Sequence, residues 1–376
     1  MPRRPATAAF LLCLLAACTP QTPPAASTPA TTPAPPKDDA PPYAFDPAQE
    51  AGVDRRCIAH IMTFPLLTRN GSPAIAATIN GIQGALYLNP SEDILGVYDS
   101  SEITFPTTDT LDMQTIADSI TVYMTTVDTL RIAQGTAHAV DAIKLGTIRH
   151  QRIAGNILPL GSLGFDIIGN YDLLLDMPAQ RAMMFRTTNA PGCPPLAQWL
   201  DKPRYLTPIQ YGANGFRNLV TVMLNNHPVG MTLEPGSNLS ILNRDDALST
   251  GLTPAELKAG TDIRTQASSV LLGSRVRFTT VSIGNAHDDP LDTNVEHSRY
   301  NLLGLRFFRN RKVLMAFPEA MLYFTGTHPD IGPPDTTRAE PSPITSRTAN
   351  ATAIEPGLHL APKANTPPPS VKVTTH

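Results

Sequence analysis

The sequence has no long basic block. Its 29 lysines and arginines stand against 32 aspartates and glutamates, a formal charge of −3 over 376 residues. Without a basic face to neutralise phosphates, nucleic acid is argued against as a partner. After residue 20 no apolar stretch approaches the roughly 20 residues that cross a bilayer as a helix. Four cysteines and nine histidines are scattered, with no Cys-x-x-Cys and no His-x-x-x-His, so neither a metal nor another cofactor is expected. His287, Asp288, Asp289 and His297 come nearest to a ligand set, but their polar, loop-like setting reads as surface. There is no Gly-x-Ser-x-Gly elbow for a serine hydrolase. Helical signals are few; Thr253-Pro254-Ala255-Glu256-Leu257, a capped start with proline in the first turn, is the clearest.

Proline is abundant but uneven. Of 38 prolines, ten fall in 19–47 and ten in 327–376, leaving an ordinary density between. Residues 18–45 and 327–376 are rich in Pro, Thr and Ala and bury too little apolar surface to offset the entropy of ordering. They read as a disordered tether and a disordered tail around a globular body. Within the body, alternating β-branched runs such as Ser119-Ile120-Thr121-Val122-Tyr123-Met124 read as half-buried strands.

Residues 1–17 have the build of a secretory signal: Arg3 and Arg4, a short apolar run, then small residues. The run closes as Leu15-Ala16-Ala17-Cys18, which resembles the lipobox of bacterial lipoproteins. The resemblance implies cleavage before Cys18, lipidation of its thiol and membrane anchoring through several acyl chains. Thr19, where an aspartate favours inner-membrane retention, points to the outer membrane, facing the periplasm or cell surface. The alternative is an ordinary signal cut nearby, with Cys18 incidental. In an oxidising compartment the two remaining cysteines, Cys57 and Cys193, are expected to pair; the alternative is two separate buried thiols.

An internal repeat organises the body. Residues 77–96 (ATINGIQGALYLNPSEDILG) align without a gap with 222–241 (VMLNNHPVGMTLEPGSNLSI), an offset of 145. Residues 162–178 (SLGFDIIGNYDLLLDMP) align with 302–318 (LLGLRFFRNRKVLMAFP), an offset of 140. Each first copy reads as a strand, a two-residue polar turn, a second strand and a sharp turn after a leucine. Two lobes follow, 46–190 and 208–326, with a linker at 191–207.

This order of strand, Asn-Gly turn, strand, Leu-x-Pro-Gly/Ser-x and then apolar-Leu-Gly resembles the pepsin and retropepsin superfamily of aspartic proteases. The resemblance covers about 55–325 and implies a mainly β fold of two pseudo-symmetric retropepsin-like β-barrel lobes with few short helices. Such enzymes need one aspartate from each lobe, sharing a proton because two adjacent carboxylates cannot both ionise. Here Asn89 and Glu234 stand at the two dyad positions, and the turns that support them are Pro90-Ser91 and Pro235-Gly236-Ser237. Asparagine is neither acid nor base near neutrality, and proline removes both the hydroxyl and the N–H of the usual threonine. Glu92, Asp93, Asp99, Asp166, Asp172 and Asp176 surround these landmarks and read as solvated or salt-bridged charges.

The expectation is a monomeric, membrane-anchored pseudoprotease with a peptide or protein in its interlobe cleft. Two alternatives stand beside it. One is an aspartic-type endopeptidase with Glu234 as lone base and an auxiliary acid such as Asp93. The other is a structural envelope spacer.

Overall fold

The computed structural model describes residues 54–69, 71–114, 119–188, 190–211, 218–259, 261–264, 271–287 and 290–327, with two short pieces at 359–360 and 374–375. The expected signal, Cys18 and the tether lie outside the described residues, as does most of the tail. His359–Leu360 and Thr374–Thr375 each form a two-residue strand, paired with Met113–Gln114 and Gly135–Thr136.

The fold is mainly β, with two nine-stranded sheets and a six-stranded sheet shared between them. Each lobe opens on a hairpin, Ala74–Ile79 with Ile82–Leu88 in the first and Leu219–Leu224 with His227–Glu234 in the second. Their turns need left-handed backbone, supplied by Asn80 (φ 48°) with Gly81 (φ 84°) and by Asn225 (φ 49°) with Asn226 (φ 65°). Such turns match the twist of the strands they join.

The repeat offsets reappear as register. In the first lobe Leu88 pairs in parallel with Leu163, and in the second Leu233 pairs in parallel with Leu303. On the other edge, Gly96 lies opposite Ser162 and Ile241 opposite Leu302, both antiparallel. The late strands, Pro159–Leu163 and Asn301–Gly304, are thus threaded between the two strands that flank each sharp turn. Threading this tight leaves no room for a side chain. A Cβ on Gly164 would sit 2.4 Å from the Ile94 carbonyl oxygen, and one on Gly304 2.2 Å from that of Leu239. One short helix follows each glycine, Phe165–Ile168 and Leu305–Arg309.

The shared sheet runs Ile58–Pro65, Arg181–Thr187, Asp172–Asp176, Lys312–Ala316, Met321–Thr325, Arg204–Pro208. At its centre Leu174 pairs with Leu314, residues the repeat makes equivalent. The segment taken as linker, 191–207, carries more structure than a linker. It holds a 3-10 turn at Leu196–Trp199 and ends within the edge strand Arg204–Pro208. A disulfide joins Cys193 of this segment to Cys57, just before the opposite edge strand. Leu196, Trp199 and Leu200 pack with Cys57, Met183, Phe185 and Leu314 in one apolar cluster, Trp199 stacked on Phe185 at 4.9 Å.

Candidate functional site

The two sharp turns are built alike because the same strands hold them. Glu92 N donates to Asn89 O at 3.2 Å, and Ser237 N donates to Glu234 O at 3.2 Å. Behind them, Phe165 N donates to Glu92 O at 2.6 Å and Leu305 N to Ser237 O at 2.7 Å. Each apolar-Leu-Gly segment therefore braces its own turn, and both turns end where the lobes meet.

Two side chains clasp the turns across that boundary. Ser72 of the first lobe donates its hydroxyl to the Gly236 carbonyl at 2.7 Å, and Asn218 of the second donates Nδ2 to the Pro90 carbonyl at 2.6 Å. The separation is 146 residues for both donors and acceptors, one more than the repeat. The carbonyls of Pro90 and Gly236 are thus each engaged by a side chain of the other lobe.

Within the clasp lie the two dyad positions. Asn89 is 2% exposed and Glu234 is fully buried. Ser91 bridges them, its Oγ donating to Asn89 Oδ1 at 2.9 Å and also hydrogen-bonding Glu234 Oε2. The other carboxyl oxygen of Glu234 accepts from Gly236 N at 3.1 Å. A Cβ on Gly236 would stand 2.7 Å from Glu234 Oε1 and 3.6 Å from Asn89 Nδ2, so glycine permits the close approach. Ser237 turns away and donates to Leu239 O at 2.9 Å.

A second acid belongs to this group. Glu92 is buried and its Oε2 accepts from Ser162 Oγ. Burial raises its pKa to about 7, offset in part by hydrogen bonds from Ser162 and Asn89. Burial likewise pushes Glu234 well above the ordinary carboxyl range, and the charge of Glu92 pushes it further. Asp166, behind Glu92, is raised to about 7 by burial, with Asp93 adding to the effect.

The structure brings Asn89, Pro90, Ser91, Glu234 and Gly236 to one place. The sequence did not mark Ser72, Asn218, Glu92 or Ser162 as members of the site. Ser72 and Asn218 share the repeat's spacing within one residue, but one polar side chain per lobe carries too little signal to stand out. Of the two readings given to the nearby carboxylates, solvated or salt-bridged, burial removes the first for Glu92, Asp93 and Asp172. Asp99 and Asp176 are salt-bridged, to Lys144 at 3.0 Å and to Arg181 at 3.2 Å. Asp288 and Asp289 lie outside the described residues. Among the described residues no group of three or more His, Cys, Asp or Glu is arranged to hold a metal ion.

The family model for the gag-polyprotein putative aspartyl protease matches residues 220–310, the lobe that carries Glu234. Among solved structures, the aspartic proteinase from Irpex lacteus matches at 10% identity with a TM-score of 0.45, covering 75% of this chain and 99% of that one. A search of curated proteins returns no match. The family match falls on the second lobe, and the first lobe repeats that lobe's strand order and register.

Proposed function

We propose that the protein is a catalytically inactive relative of the retropepsin/pepsin-like aspartic proteases, lipid-anchored through Cys18 at the outer membrane, whose interlobe groove holds an extended peptide or protein segment. One observation carries the loss of chemistry. The sole titratable group at the two dyad positions, Glu234, is fully buried, and its two carboxyl oxygens are engaged by Ser91 and Gly236.

Aspartic-protease hydrolysis needs one carboxylate to take a proton from water while the other holds one for the scissile carbonyl. Asn89 does neither. Burial pushes Glu234 toward its protonated form, well above the ordinary carboxyl range, which disfavours it as a base. Loss of acid–base assistance alone removes about 10²–10⁴ in rate. An altered-site peptidase would need Glu92 as its second acid, since Glu92 rather than Asp93 acts on Glu234. That carboxyl is already spent on Ser162 and Asn89. The groove outlives the chemistry, because strands beside it can still pair with an extended chain by backbone hydrogen bonds.

The test is retention without turnover. Immobilised mature protein is exposed to a mixture of unstructured peptides, and the eluate is read by mass spectrometry. Enrichment of a subset with unchanged masses is expected. No retention above a heat-denatured control would remove the binding claim, and recovery of shortened peptides would remove the claim of inactivity.

A further inference from the structure

Three hydrogen bonds join the two turns across the lobe boundary: Ser72 to the Gly236 carbonyl, Asn218 to the Pro90 carbonyl, and Ser91 with Glu234. The first two link neutral groups and do not respond to pH. The third ends on a carboxyl.

Ser91 has a single hydroxyl proton and two partners, Asn89 Oδ1 at 2.9 Å and Glu234 Oε2. If it donates to Asn89, the bond to Glu234 must be made with a proton that Glu234 supplies. If it donates to Glu234, that carboxyl is ionised and the Asn89 amide must turn so that its NH₂ faces Ser91. The second arrangement places a full negative charge in a site closed to solvent, which is costly without a paired cation. The charged group acting on Glu234 is itself an acid, Glu92. Around Glu92 stand Asp166, with Asp93 beside that, and the phenol of Tyr98.

We propose that the proton on Glu234 is a latch between the lobes. While it is held, Ser91 links Asn89 to Glu234 and the turns stay clasped. When it leaves, the new carboxylate faces Glu92, the donor to Ser91 is gone, and the boundary loosens. The latch is shut in acid and opens as pH rises, later than an ordinary carboxyl would ionise because burial and the charge of Glu92 both favour the protonated form. Its consequence for a bound peptide rests on the groove reading; the latch itself does not.

Amide hydrogen exchange on the full mature protein tests it, from about pH 5 to about pH 9, with rates corrected for their intrinsic pH dependence. The reporters are the amides of Glu92, Gly236 and Ser237, with those of the strand Ala74–Ile79 as reference. In the wild type, protection of the reporters should fall by about tenfold or more across the range while the reference holds. Glu234→Gln keeps a donor for Ser91 at every pH, so its reporters should lose no more protection than the reference strand does. Glu92→Gln should move the wild-type midpoint to lower pH. A Glu234→Gln variant with the same loss of protection would overturn the proposal. So would wild-type reporters still protected once carboxyl-carbon NMR shows Glu234 ionised, an arm that needs no variant to fold. Exchange is read without peptide, so a latch that opens with no peptide ever retained upholds this proposal and counts only against the groove.

Discussion

Asn218 of the second lobe donates its side-chain amide to the carbonyl of Pro90 in the first at 2.6 Å, completely buried. Ser72 returns the favour to Gly236 at 2.7 Å. Reciprocal bonds of this kind hold two turns together about an axis of approximate symmetry.

The first expectation concerns these clasps. Ser72→Ala and Asn218→Ala each leave a buried carbonyl without its donor, which costs about 1–3 kcal/mol. Denaturant unfolding of each variant and of the double variant measures this. A loss within experimental error for both single variants would show that the clasps contribute nothing to stability.

A second follows from the buried acids. Glu92, Asp166 and Asp172 are each raised to about 7 in the fold, from 4.5 for the glutamate and 3.8 for the aspartates. An acid with a raised folded pKa binds more protons folded than unfolded between the two values, so stability falls as pH rises through that window. The protein should melt at a lower temperature at about pH 8 than at about pH 4.5, Glu92 alone accounting for up to about 3 kcal/mol. Glu92→Gln should reduce the difference, with Asp166 and Asp172 keeping the remainder. Melting that is higher at pH 8 would reverse the sign.

A third concerns the disulfide. Cys57 and Cys193 are separated by 136 residues, and removing a bridge typically costs 2–5 kcal/mol. Trp199 is the single tryptophan and stacks within the same cluster. Reduction, or paired Cys→Ser substitution, should lower stability and change the Trp199 emission. Unchanged emission would mean that the 191–203 segment stays packed without its bridge.

How much of this was legible beforehand follows from what each signal depends on. Hairpins were legible because Asn80-Gly81 and Asn225-Asn226 state their turn geometry locally. That Leu163-Gly164 and Leu303-Gly304 are equivalent was legible because they recur at a fixed spacing; that they end threaded strands where a side chain finds no room was not. The shared edge strand Arg204–Pro208 was read as linker because edge pairing depends on a partner more than 100 residues away. Glu92 was misread for a related reason. A carboxylate looks solvated in sequence, and only folding shows Ser162 waiting for it.

The anchor makes a fourth expectation, independent of the site. Cells grown with a fatty-acid analogue should label the wild type and not Cys18→Ser. Equal labelling of both would remove the lipid from this account.

The most direct measurement of lost catalysis is cleavage itself, by the full mature protein and its Glu234→Gln variant on a peptide library between about pH 3 and about pH 7, where aspartic dyads work. If Asn89 and the buried Glu234, its pKa pushed up by burial, stand where the resemblance puts the dyad, neither protein should shorten any peptide. Cleavage by the wild type that Glu234→Gln abolishes would contradict this and make Glu234 a working catalytic acid.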